Sequence, residues 1–235
     1  MSGHLIPNLS RPVPVFPLPN LVLFPRAVQF LHLFEQRYRS MFSDLLNREE
    51  DERLIGIAHL RPGYQEKYHT NFAEIDPMLC VALVVQHEEL SDGRYNLMVR
   101  GLCRARVVKE LTDGPYRQAV LEGLSEKDQN GETAEHRRLT RCLHQTLHEP
   151  PFQQLPSSDF CRNLFSSDLS LGELNDQLAF YLLPADSSEI KQLMLNELNV
   201  VERSRMLLKE LQTLGRRLER SGNRGEVWPP PTCAN

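Results

Sequence analysis

The sequence predicts an α+β protein: an N-terminal, mainly antiparallel β pseudo-barrel carrying one helix, followed by an α-helical bundle. Two observations predict it. Between residues 13 and 124 the apolar side chains fall in short or alternating runs punctuated by prolines and Gly-containing turns, as strands require. After residue 133 they recur at three- and four-residue spacing, the period of a helix. Residues 125–132 hold no apolar side chain and read as a linker. The expected division is therefore a barrel over 12–124, a linker over 125–132, a helical subdomain over 133–221 and a disordered tail over 222–235.

Each element has a local reason. The opening is extended, because prolines crowd the first 25 residues and each pushes its predecessor out of helical space. Val13–Phe16, Leu21–Phe24 and Ala27–Leu33 read as strands. Over Glu35–Glu49 the residues Tyr38, Met41, Phe42, Leu45 and Leu46 form one apolar stripe, which predicts a helix. Leu54–Ala58 and Met78–Val85 read as buried strands. Asp92-Gly93 reads as a hairpin turn into Tyr95, Leu97 and Val99, and Cys103–Leu111 and Tyr116–Leu124 as further strands. In the helical half, Ser170-x-x-Glu173 is a capping box, and Asn199-x-x-Glu202 predicts a break near Leu198–Asn199.

Composition narrows the function classes. The chain has 235 residues, a formal net charge of −4, 40% hydrophobic and 25% charged residues. That balance disfavours a protein whose work is neutralising phosphates. Five cysteines, odd in number and without a CxxC pair, fit free thiols in a reducing compartment. No apolar run approaches the ~20 residues of a membrane helix, and the N-terminus lacks a signal pattern. The expected location is the cytoplasm.

The search for chemistry finds no phosphate-binding GxxxxGK[ST], no GxGxxG and no GxSxG. His144 and His148 lie at i, i+4 on a helix, but Gln145 stands where a metalloprotease needs its glutamate, and the pair reads as surface histidines. Neither a metal, a cofactor nor a catalytic residue is expected. Arg100, Arg104 and Arg106 fall on one strand face unless a bulge near Gly101 shifts the phase. The stretch Arg61–Pro77 is long for a loop and holds Tyr64, Tyr68 and Phe72, aromatics suited either to extended peptide or to closing over the barrel as a lid.

Pro14–Pro25, with its Phe16-Pro17-Leu18 and Phe24-Pro25, followed by Leu31-His-Leu-Phe34-Glu35-Gln-Arg37-Tyr38-Arg39, resembles the opening of the Lon protease N-terminal domain. That opening usually reads PLFPLxxxVLFPG and then LHIFEPRYR. Gly93–Gly101, Arg104–Val108 and Leu198–Arg203 extend the resemblance to roughly 12–220. Two departures stand out: Arg26 replaces a common glycine and Gln36 a common proline. Phe16, Pro17, Leu18, Phe24, Pro25, Phe34, Glu35, Arg37, Tyr38 and Gly101 are the motif residues expected to hold the fold. Phe16, Leu18, Leu23, Phe24, Leu33 and Phe34 are expected in its core.

The resemblance implies a PUA-like barrel joined to helices, without the ATPase and Ser–Lys protease parts of a full Lon protease. It implies a non-catalytic module binding unfolded or extended polypeptide, or a protein partner, as an adaptor or regulator in protein quality control. Tyr64, Tyr68 and Phe72 are its expected peptide contacts. The alternative is RNA binding by a PUA-like barrel, which the acidic balance disfavours.

Overall fold

The structure is a computed structural model describing residues 7–68, 70, 73–111, 114–127 and 133–222. It is α+β, with a six-stranded sheet followed by helices, and divides into compact units over residues 1–125 and 126–235. The expected tail falls almost wholly outside the described residues, as does 128–132 of the expected linker.

In the first unit the strands are β1 (Val13–Leu18), β2 (Val28–Leu33), β3 (Leu54–His59), β4 (Met78–Glu89), β5 (Tyr95–Leu111) and β6 (Gln118–Leu124). Their order is β2-β5-β4-β3-β1-β6, and β5 also pairs with β6. That extra pairing closes β5, β4, β3, β1 and β6 into a barrel and leaves β2 appended to the first half of β5. All pairings are antiparallel except β1 with β3. β5 runs through Gly101 and Leu102 without a break, so the two strands expected there are one.

The sheet buries both faces. Val13, Val15, Leu54, Leu79, Val81, Cys103, Ala105 and Leu121 form the cluster inside the barrel. On the opposite face lies α1 (Gln36–Leu46), whose buried residues are Tyr38, Met41, Phe42 and Leu45. Phe42 meets the Tyr95 ring edge-on at 5.0 Å, and Tyr38 meets Phe16 at 4.3 Å. Four such side chains removed from water contribute roughly 1.5–3 kcal/mol each, enough to offset the poor isolated stability of an eleven-residue helix. Gln36 is the first helical residue, the position at which a proline costs no hydrogen bond.

One local expectation needs correction. Leu21–Phe24 is not a strand; Val22, Leu23 and Phe24 are buried in irregular backbone between Pro19 and Pro25. An apolar run there reflects burial, not pairing. The hairpin turn forms where Ser91-Asp92-Gly93-Arg94 predicts it: Leu90 N–H donates to the Arg94 carbonyl at 2.8 Å, and Gly93 takes a positive φ of 76°.

Arg26 also takes positive φ, at 65°. It sits in a bulge: its N–H donates to the Gly101 carbonyl at 2.8 Å, while Gly101 N–H donates to Ala27. A side chain in that conformation costs roughly 1 kcal/mol, and glycine avoids the cost. Arg26→Gly will therefore raise the denaturation midpoint by an equivalent of about 1 kcal/mol in urea melts. A lowered midpoint would show that the arginine side chain contributes more than its backbone costs.

In the second unit the helices are α2 (Ala134–Leu147), α3 (Pro150–Gln153), α4 (Ser158–Leu164), α5 (Leu171–Leu182), α6 (Ser188–Asn196) and α7 (Val200–Gly222). The capping box at Ser170 is formed, with Glu173 N–H on the serine oxygen and Ser170 N–H on the glutamate. Asn199 caps α7 through its side chain, which accepts from Glu202 N–H at 3.0 Å, and the chain breaks between α6 and α7 as its sequence predicts. α5 is buried along nearly its whole length, and α7 packs against α2, α3 and α5.

Glu126 and Lys127 fold with these helices. Lys127 N–H donates to Leu198, and Glu126 is ion-paired with Arg203. Arg203, at 1% exposure, also places Nε 3.2 Å from Asp176 and donates to the Glu197 carbonyl at 2.7 Å.

Candidate functional site

The Arg61–Pro77 segment leaves the barrel after β3 and returns to it before β4. Its two legs are tied at the neck: Arg61 N–H donates to Glu74 and Asp76 N–H to His59, both at 2.9 Å, around an isolated bridge of Leu60 with Ile75. His59 is buried, and its Nδ1 lies 2.8 Å from the Asp76 carboxylate. Ala73 and Ile75 enter the barrel cluster. The buried Arg117, just before β6, donates to the Ala73 carbonyl and pairs with Glu110. So the segment is anchored, not a free loop.

Its far end is clasped by α1. The Arg37 guanidinium donates to the Tyr68 carbonyl at 2.7 Å, to Thr70 at 3.4 Å, and through Nε to Glu35 at 3.1 Å. Its plane lies over the Tyr38 ring at 4.4 Å and the Tyr68 ring at 5.1 Å. Only a planar fork with several donors can hold two carbonyls and a carboxylate between two rings, which a lysine cannot do. Burial and then Glu35 push the Tyr68 phenol up to about 12, and burial with neighbouring Tyr68 raises Tyr38 further. These phenols stay protonated across the physiological range.

Tyr64 and Tyr68 are half-buried and pack against the barrel cluster, and the Lys67 ammonium lies over the Tyr64 ring at 5.4 Å. Tyr64 donates to Glu74 at 2.6 Å, which raises the phenol and lowers the carboxyl. Phe72, the third expected aromatic, lies outside the described residues.

The remaining motif residues divide. Phe16, Pro17, Phe24, Pro25, Tyr38 and Gly101 are buried; Leu18, Glu35 and Arg37 are half-buried. Phe34 is not in the core. It is 50% exposed, because it follows Leu31 and Leu33, which point inward, and so continues the outer series Phe30, His32, Phe34. Phe30 is 72% exposed. The bulge expected near Gly101 is present, at Leu102, and sets Arg100 opposite in phase to Arg104 and Arg106; Arg104 is 3% exposed.

The profile of the ATP-dependent protease La (LON) substrate-binding domain matches residues 12–213. The chain belongs to the Lon substrate-binding domain family. Lon protease 2 of Sorangium cellulosum is 34% identical over 115 residues, 48% of this chain and 14% of that protein. Lon protease 2 of Myxococcus xanthus is 28% identical over 120 residues, 51% of this chain and again 14% of the relative. The chain thus spans about one seventh of the curated relatives it matches. Among solved structures, the Lon N-terminal domain protein from Xanthomonas campestris superposes with a TM-score of 0.60 at 22% identity, covering 85% of this chain and 98% of that one. The N-terminal domain of the Mycobacterium avium complex Lon protease gives 0.65 at 17% identity, with 86% and 98% covered. Both show the shared fold.

Within this Lon-type fold, Phe30, Arg117 and Arg203 are residues that sequence reasoning missed. Phe30 had a usable signal, since strand alternation sets it opposite to Leu31. Arg117 and Arg203 had none, because their partners are remote in sequence.

Proposed function

We propose that this chain is a non-catalytic polypeptide-binding module that takes unfolded or extended protein segments and acts as an adaptor or regulator in protein quality control, in the cytoplasm. The observation that carries the reading is the match of residues 12–213 to a family defined by substrate binding. Tyr64 and Tyr68, with Phe72, are its proposed contacts. The support is physical: Arg37 and the neck hold the backbone that carries both tyrosines in place, so little ordering entropy is lost when a peptide binds there. RNA binding has less to carry it, as the arginine at the centre of the basic series is buried.

The test is fluorescence anisotropy with labelled β-casein, a natively extended polypeptide. Tyr64→Ala/Tyr68→Ala, folded by circular dichroism, will bind about tenfold more weakly than the wild-type chain. Unaltered affinity in the folded variant would overturn these contacts. A variant that unfolds would assign both tyrosines to closing the barrel.

A further inference from the structure

β2 ends the sheet, and its outer edge has the chemistry of an acceptor for another strand. Gly101 directs its N–H and C=O toward the 26–27 bulge. In an antiparallel ladder the same orientation recurs at alternate residues, so Val99, Leu97 and Tyr95 bond to Gln29, Leu31 and Leu33. Phe30 and His32 therefore turn their backbone groups away from β5. Among the described residues the Phe30 carbonyl is met only by the side chain of its neighbour Gln29, at 2.7 Å. No described group accepts from the Phe30 or His32 N–H.

Such an edge is ordinarily guarded by lysine, proline or an inward charge, because it templates pairing. β2 reads Val-Gln-Phe-Leu-His-Leu and carries none of these.

The face beside this edge adds specificity. Phe30 lies opposite Met98, His32 opposite Asn96, and Val28 opposite Arg100, so these side chains share one face of the sheet. His32 Nδ1 is 2.8 Å from the Asn96 oxygen, which fixes the ring beside Phe34. Arg100 is exposed and makes no ion pair among the described residues. An unpartnered guanidinium next to an aromatic side chain favours a strand that brings a carboxylate and an apolar residue to alternate positions.

We propose that the β2 edge at Phe30 and His32 takes up an extended polypeptide bearing a carboxylate side chain, adding it to the six-stranded sheet by backbone hydrogen bonds, with Phe30 and Arg100 reading its outward residues. This rests on the polypeptide-binding reading and adds to it a place of contact separate from the 61–77 aromatics. A second copy of this chain fits less well, since its β2 has no acidic residue to offer Arg100.

The test uses a fluorescein-labelled peptide with a central phenylalanine, glutamates two places away on either side, and threonines between. Two isomers are N-methylated at one or the other alternate set of amides. The unmethylated peptide will bind; one methylated isomer will bind about tenfold more weakly or worse, and the other unchanged, since only one set faces the edge. Phe30→Lys will weaken binding, and Arg100→Glu will exchange preference for glutamate against lysine in the peptide. Equal affinity for both methylated isomers would overturn the edge. Sedimentation showing dimers that Phe30→Lys dissociates would assign the edge to a second copy and overturn it also. If β-casein binds the wild-type chain and Phe30→Lys alike, the edge proposal falls and the polypeptide-binding reading stands; if β-casein does not bind at all, both fall.

Discussion

Arg203→Met will cost the helical unit about 3–5 kcal/mol in denaturant unfolding followed by far-ultraviolet circular dichroism. The side chain is 1% exposed and ion-paired with two carboxylates, Glu126 and Asp176. It also donates to the Glu197 carbonyl at 2.7 Å, at the point where the chain breaks between α6 and α7. Methionine fills much of the volume and supplies no charge. The cost therefore comes from two carboxylates that lose their guanidinium, not from a cavity. That attribution has its own check. Adding Glu126→Gln and Asp176→Asn to Arg203→Met will return much of the lost stability, since neutral amides no longer demand a cation. A triple variant no more stable than the single one would assign the effect to packing. Arg203→Lys will fall between, because an ammonium on a flexible stem cannot reach a carbonyl and two carboxylates at once.

What the sequence revealed and what it hid follow from range. The capping box at Ser170 and the Asn199 break were legible, because cap and partner lie three residues apart. The stripe of α1 was legible for the same reason. Leu21–Phe24 misled because an apolar run records burial but not pairing, and burial in irregular backbone leaves the same mark. The arginine phase was legible only as a pair of alternatives, since one extra residue near Gly101, found at Leu102, moves Arg100 to the other face. Arg203 meets Glu126 across 77 positions, which no periodicity reports. At the candidate site, the aromatics of the 61–77 segment stood out by their composition. The Arg37 clasp that positions them did not, since its targets are backbone carbonyls that any residue carries.

Gly101→Ala will destabilise the barrel unit by about 3 kcal/mol, among the larger losses a single methyl group can cause. A Cβ built on Gly101 runs into the carbonyl of Phe24 and comes to 3.0 Å of the Cys80 sulfur. The carbonyl cannot swing aside cheaply, because it accepts from Ala27 N–H, and Gly101 itself holds Arg26 and Ala27 through both its backbone groups. Relief must move the bulge, and with it the start of β2. Gly114→Ala is the control: among the described residues its Cβ would meet the Tyr116 carbonyl alone, at 3.4 Å, and the variant will melt within about 0.5 kcal/mol of the wild-type chain. The same strain separates fold from edge. A Gly101→Ala chain that remains folded at low temperature will have β2 loosened from β5, with faster hydrogen exchange at Leu31 and Leu33 than at β3. Uniform exchange across β2 and β3 would show that the barrel absorbs the methyl group as a whole and that β2 is not separately held by this glycine.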